Sequence, residues 1–252
     1  MVFFQSIMDF FKQRFESNSI QEGQLFLIDK PKGWTSFQVV NKMRWYLKNL
    51  TGLKKIKIGH AGTLDPLATG LLIVCTGKKT KSINLHQSET KTYTGTFTLG
   101  ASTPSYDLET EIDKTYETNH ITNDLIIEIA RSFIGEINQI PPIYSAIKIN
   151  GKRLYDYARK GKSTEIKARN VCISKFDITN INLPKVDFLI SCSKGTYIRS
   201  IAHDFGQKLS SGAYLSSLKR IQIGEKILDD AYSMESMIKR YSKKNIKCVK
   251  VD

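Results

Sequence analysis

Apolar residues recur along the chain in two rhythms, one near 3.6 and one of 2, and the two intermix without a regular strand–helix–strand alternation. At the N-terminus Phe3 or Phe4, Ile7, Phe11 and Phe15 fall at three-to-four-residue spacing, which predicts a short amphipathic helix packed on its own protein. Asp9, Lys12 and Arg14 interrupt that stretch and no basic start precedes it, so it does not read as a signal peptide. Ser17, Asn18 and Ser19 form a polar hinge before a short apolar strand, Gln24–Asp29, which ends at Lys30-Pro31-Lys32-Gly33. Thr35 or Ser36 then caps a helix with Val39, Val40, Met43, Leu47 and Leu50 on its apolar face, ending near Thr51-Gly52. A glycine-punctuated loop, Gly59 to Gly70, runs into the apolar strand Leu71–Thr76, and Thr90–Leu99 alternates Tyr93, Phe97 and Leu99 as a strand with one buried face.

From Asp107 to Glu128 seven acidic side chains accompany one lysine, which reads as a solvated stretch without a functional role, leading into a helix around Asn123–Phe133. Pro141-Pro142 breaks the chain before a strand, Ser145–Ile149, and Asn150-Gly151 supplies a tight turn. A helix over Lys152–Lys160 stops at Gly161; strands at Val171–Ile178 and Val186–Cys192, a helix from Tyr197 to Leu209 and a final helix around Ser233–Tyr241 complete the count. This mixture predicts an α+β fold around one mixed, largely antiparallel sheet flanked by helices rather than a doubly wound one. The expected organisation is an N-terminal helical extension over 1–22, one catalytic domain over 23–223, and a short C-terminal helix with a basic tail over 224–252.

Composition changes this picture in one respect. With 38 basic and 24 acidic side chains the net charge is +14, which points to a polyanionic partner. No apolar run reaches the length of a spanning helix, and charge alone does not choose between nucleic acid and an anionic membrane surface. The four cysteines are scattered and never form C-x-x-C, which fits a reducing, cytoplasmic setting without a zinc site or a disulfide framework. Phosphate-loop, dinucleotide and zinc-hydrolase spacings are all missing, and the four histidines do not cluster with acids, so neither a metal nor a nucleotide cofactor is expected.

The sharpest anomaly lies between Lys30 and Lys81, where eleven Lys or Arg accompany a single acid, Asp65. Pro66 pushes Asp65 away from helical dihedrals, and the glycines on either side permit close backbone approach to a ligand. The surrounding segment, GHAGTLDPLATGLL, resembles the catalytic signature of the bacterial tRNA pseudouridine synthase B (TruB) family, which modifies uridine-55 of the T loop. Lys30-Pro31-x-Gly33, Lys91-Thr92-Tyr93, Gln139-x-Pro141-Pro142-x-Tyr144-Ser145-Ala146-x-Lys148 and Cys192-Ser193-Lys194-Gly195-Thr196-Tyr197-Ile198-Arg199 follow in the family's order, from about Gly23 to Ile223.

The resemblance implies the pseudouridine synthase catalytic fold and a cofactor-free isomerisation of uridine within the T stem-loop of tRNA. It places the essential carboxylate on Asp65, its countercharge on Arg199, and base stacking with proton transfer on Tyr93. His60 fills the gap left by the extruded nucleotide, and Lys30, Pro31, Tyr197 and Leu218 contact substrate. The lysines flanking the signature, Lys78 and Lys81 among them, are expected on RNA phosphates. So are Lys152 and Arg153 in the basic stretch Lys148 to Arg169, which holds eight Lys or Arg against two acids and resembles the family's RNA-clamping segment.

Two departures stand out. The roughly 29 residues after Ile223 are too few for the C-terminal PUA domain that many members carry, so none is expected. The usual Thr-Asp-Thr is here Thr103-Pro104-Ser105, which loses a carboxylate. The expectation is a monomer that engages no membrane and no obligate protein partner; the alternatives are a tRNA-folding chaperone that opens the T arm, or a related synthase acting on ribosomal RNA.

Overall fold

The computed structural model describes residues 17–149, 151–158 and 165–236. The expected helix over the first fifteen residues and the basic tail beyond residue 236 lie outside them, as do Asn150 and the end expected for the helix at Gly161. The chain divides into two compact units, one built from residues up to Glu89 together with those from Arg220 onward, the other from Thr90 to Lys219.

In the first unit, β1 (Leu25–Lys30) pairs antiparallel with β3 (Thr69–Thr76), in register from Leu25 opposite Cys75 to Lys30 opposite Gly70. β2 (Ile58–Ala61) also pairs antiparallel with β3, and Tyr232–Ser233 adds a parallel strand beside β1. β3 is buried on both faces. Its Leu72 and Val74 join Phe26, Ile28 and the inner face of α1 (Ser36–Thr51), while Leu71, Ile73 and Cys75 join Ala61 and Ile223 on the other side.

The limits of α1 follow from its sequence. Thr35 accepts from the Gln38 N–H while the Gln38 side chain accepts from the Thr35 N–H, a reciprocal cap, and Gly52 closes the helix in the left-handed region. Val39, Val40, Met43 and Leu47 form its buried face as the spacing predicts. The polar hinge at Ser17–Ser19 is corrected: these residues open a helix, Ser17–Glu22, because Ile20 is fully buried in the core and outweighs the turn preference of its neighbours. The first three residues of the expected Gly59–Gly70 loop belong to β2, so the loop proper is shorter.

The second unit holds the antiparallel run β4 (Lys91–Leu99), β5 (Gly135–Gln139), β6 (Arg169–Asn182) and β7 (Lys185–Cys192). Here β7 lies between β4 and β6, and β5 pairs with the far edge of β6. Against this sheet lie α2 (Asn123–Arg131) and α3 (Ile198–Lys208), and Phe97, Phe133, Phe176, Phe188 and Phe205 interlock, with the Phe97 and Phe188 rings 4.3 Å apart. β8 (Ala213–Ile223) contributes its first part beside β4, where Ser216 donates to the Thr96 carbonyl, and its last residues to the first unit.

The alternation did not reveal β5 or β8. In β8 the run Ser216-Ser217-Leu218-Lys219-Arg220 hides a strand whose neighbour, not its hydrophobicity, fixes it. The expected strand Ser145–Ile149 shrinks to Lys148–Ile149, paired with Lys152–Arg153, and the helix after it is Leu154–Ala158. The expected solvated stretch from Asp107 is also corrected at its first residue, since Asp107 is only 5% exposed. At the other end, Ser233 accepts from the Ser236 N–H and opens a helical turn at the start of the expected last helix.

Two glycines give a direct test of the packing. Gly70 sits at φ +100 with an added Cβ only 2.3 Å from the Arg220 carbonyl oxygen, whereas Gly52 sits at φ +71 with nothing nearby. Gly70→Ala should cost about 3 kcal/mol or more by denaturant unfolding, and Gly52→Ala about 1 kcal/mol, because only the first adds overpacking to backbone strain. Equal losses would contradict this packing.

Candidate active site

The Asp65 segment is an Asp-Pro turn held far more tightly than such turns usually are. The Ala68 N–H donates to the Asp65 carbonyl (3.1 Å), with Pro66 presetting the corner. Each residue beside Asp65 is tied down from a different element. Ser36, at the start of α1, donates to the Leu64 carbonyl (3.1 Å) and accepts from the Leu64 N–H (2.9 Å). The Gly33 N–H donates to the Pro66 carbonyl (2.8 Å), and Lys30 Nζ donates to the same oxygen (3.3 Å).

Upstream, Arg220 is buried, with Nε donating to Leu71 O (2.7 Å) and Nη2 to Gly62 O (3.1 Å), where Gly62 turns the chain at φ +95. The carboxylate therefore projects from backbone that has few ways to move. Its charge also reaches Lys30: burial pulls the Lys30 ammonium down to about 8, Asp65 and Asp29 oppose that, and Arg220 adds to it.

Lys30, expected at the substrate, is fully buried and gives its three N–H bonds to Pro31 O (3.0 Å), Trp34 O (2.6 Å) and Pro66 O. It holds the loop, and Pro31 enters this arrangement through its carbonyl. His60 lies on β2, with Nδ1 buried and without a hydrogen-bond partner among the described residues. Burial, followed by the Arg220 charge, lowers its pKa against a backbone hydrogen bond at Gly62, so the ring is neutral at pH 7. Lys78 and Lys81 are exposed. With Lys55 and Lys57 they line an open groove of about 410 Å³, and Lys78 also pairs with Glu22 at 2.7 Å.

The second unit carries the remaining expected residues. Tyr93 is buried on β4 opposite Ile190. Tyr197 precedes α3 and is gripped by Gln139, whose amide accepts from the Tyr197 N–H (2.8 Å) and donates to its carbonyl (3.0 Å). The Arg169 guanidinium lies over the Tyr197 ring. Leu218 is half-buried on β8. Lys152 and Arg153 form one strand of the short hairpin.

Arg199 is buried in the first turn of α3, with Nε 3.5 Å from Asp107 Oδ2 and Nη1 donating to Ser105 O (3.3 Å) and Tyr144 O (2.9 Å). Ser36, Arg220 and Asp107 are functional candidates that the sequence did not single out. Each belongs to a residue type usually found at the surface, and only its burial distinguishes it. Among the described residues no group of three or more His, Cys, Asp or Glu stands close enough to hold a metal ion.

A sequence profile for the TruB family pseudouridylate synthase, N-terminal domain, matches residues 48–198. The chain is 60% identical over 205 residues to the tRNA pseudouridine synthase B of Flavobacterium johnsoniae, covering 81% of this chain and 90% of that protein. Against the protein of the same name from Phocaeicola vulgatus the identity is 53% over 218 residues, with coverages of 86% and 93%. Among solved structures, a chain in a crystal structure of a Cbf5-Nop10-Gar1 complex matches with a TM-score of 0.66 and 27% identity over 92% of this chain. The chain spans 58% of that solved chain's length.

The lowered Lys30 pKa makes a prediction about stability. Below about pH 8 both folded and unfolded chains carry the ammonium, so the cost of burying it is present. Between about 8 and 10.5 the folded chain has lost the proton while the unfolded chain keeps it, so stability gains with rising pH. In denaturant unfolding across that window, Lys30→Met should lack this upward contribution relative to the parent. Identical pH slopes would show that Lys30 is not buried as described.

Proposed function

The chain belongs to the TruB family of pseudouridylate synthases, and from that premise we propose how its residues convert a tRNA uridine to pseudouridine. The reaction breaks N1–C1′, turns the uracil, bonds C5 to C1′ and removes the C5 proton, while N1 gains a proton. Atoms balance without an oxidant, a phosphate or water, so the protein supplies binding, a carboxylate and proton transfer. The target is uridine-55 of the T loop, a stacked base that must be flipped out at a cost of about a few kcal/mol.

Asp65 is the carboxylate that acts at the sugar or the ring, as nucleophile or base. The observation that supports this most is the rigidity of its turn: Leu64 and Pro66 are each fixed by side chains from other elements, which keeps a reacting group in place at little entropic cost. Tyr93 stacks on the uracil and accepts the C5 proton, and Arg199 is the countercharge for the Asp65 carboxylate. His60, neutral and flat, takes the place of the flipped base. Pro31 shapes the entrance, with Tyr197 and Leu218 as walls of the base pocket. Phosphates fall to Lys78, Lys81, Lys152 and Arg153, supported by the surplus of positive charge. We place the enzyme in the cytoplasm, acting as a single chain; Cys75 and Cys172 are free thiols, which suits a reducing compartment.

Asp65→Asn separates catalysis from binding. The change keeps the volume of the side chain and removes only its charge, so tritium release from 5-tritiated uridine in tRNA should fall to background. Affinity in filter binding should stay within about three-fold of the parent and still weaken steeply with salt, because the cations carry it. Turnover in Asp65→Asn would refute the assignment, and loss of binding together with turnover would instead indicate a misfolded loop.

A further inference from the structure

The outward side of α1 is not composed like an ordinary solvated helix face. Its exposed positions are Phe37, Gln38, Asn41, Trp45 and Asn49, two aromatic rings among three amides. Phe37 is 62% exposed and Trp45 58%, and they share one side of the helix two turns apart. One large ring in solvent is ordinary, whereas two on one stripe mark a surface that takes a partner. The charge is equally one-sided: α1 carries Lys42, Arg44 and Lys48 and no acid, so it lacks the Glu–Lys pairs that usually support a solvated helix. Lys42 Nζ lies 5.0 Å from the centre of the Trp45 ring.

The spacing of the two rings discriminates between partners. An apolar helix or a second copy of the chain needs a continuous apolar strip at three-to-four-residue spacing, and here Asn41 interrupts it between the rings while Lys48 follows Trp45. Separated rings among cations and amides suit nucleic acid instead, because rings stack on bases and cations neutralise the phosphates beside them. The face also begins beside the reacting group. Ser36, the first residue of α1, is bonded to both backbone groups of Leu64, next to Asp65. Phe37 follows it directly, and Trp45 lies about 12 Å further along the helix at 1.5 Å per residue.

We propose that the outer face of α1 is an RNA-binding surface continuous with the Asp65 turn. Phe37 and Trp45 stack on unpaired bases of the tRNA near the target uridine, and Lys42, Arg44 and Lys48 hold the adjoining phosphates. The inference rests on the reading that tRNA brings its uridine to Asp65.

The test uses the full chain carrying Asp65→Asn, so that unmodified tRNA stays unconverted, and measures affinity by filter binding at several salt concentrations. Turnover is read separately with Asp65 in place. Trp45→Ala should weaken binding about ten-fold, as expected for the loss of one base stack. Trp45→Phe should keep most of the affinity, because its ring still stacks, and Trp45→Leu, apolar but without a π face, should behave like Trp45→Ala. In turnover, Trp45→Ala should raise KM with kcat within about two-fold, since the ring touches no reacting atom. Replacing Lys42, Arg44 and Lys48 together by Gln should lower the slope of log affinity against log salt by about 2, at about 0.7 per phosphate of a single strand. Parental affinity in Trp45→Ala, or an unchanged salt slope in the triple variant, would overturn the proposal. So would a Trp45→Leu that binds as well as Trp45→Phe, which would assign the face to an apolar protein segment. If the chain with Asp65 in place binds no tRNA or forms no pseudouridine, the reading on which the inference rests fails, and the inference with it.

Discussion

Everything in the first unit depends on immobilising a carboxylate in a field of positive charge. Asp65 stands on a turn whose flanking carbonyls and amides are captured by Lys30, Ser36 and Arg220, three side chains from three separate elements. Two of the three are cations buried with no exposed atom to speak of, which is costly unless carbonyl oxygens satisfy them. Here the carbonyls that do so belong to the loop and its approaches, so the same hydrogen bonds that solvate the cations also define the loop. The helix α1 and the strands β1 and β3 are in that sense the scaffold of a single turn.

A parallel arrangement governs the second unit. Arg199 is buried at the start of α3 and faces two carbonyls and one carboxylate from the loops at Ser105, Asp107 and Tyr144. Gln139, fully buried, fixes the backbone of Tyr197 two residues before it. Buried polar groups with complete sets of partners are where a fold specifies geometry most sharply. In both units the residues we propose for the reaction sit on backbone fixed by buried polar side chains from other elements.

Which parts of this were legible in the sequence follows from how far each signal reaches. The limits of α1 could be read because Thr35, Gln38 and Gly52 act on the backbone next to them, and Asp65 because a lone acid among eleven cations breaks a pattern. In the sequence Ser36 is only an alternative cap to Thr35, yet with Thr35 capping, its hydroxyl is available to Leu64, 28 residues away. Arg220, following Lys219, looks like half of a surface pair, and Asp107 looks like the first of seven acids in a solvated run. In each case the residue's partner lies far along the chain, and local composition points the wrong way. The strand β8 escaped for the same reason, since its pairing partner rather than its own alternation fixes it.

The central claim is that this geometry exists to isomerise one uridine of the T loop. The most direct measurement is to incubate the purified chain with unmodified tRNA transcripts and map pseudouridine at nucleotide resolution. The account predicts conversion at uridine-55 and nowhere else in the molecule; no pseudouridine at all, or pseudouridine at other positions with uridine-55 intact, would contradict it.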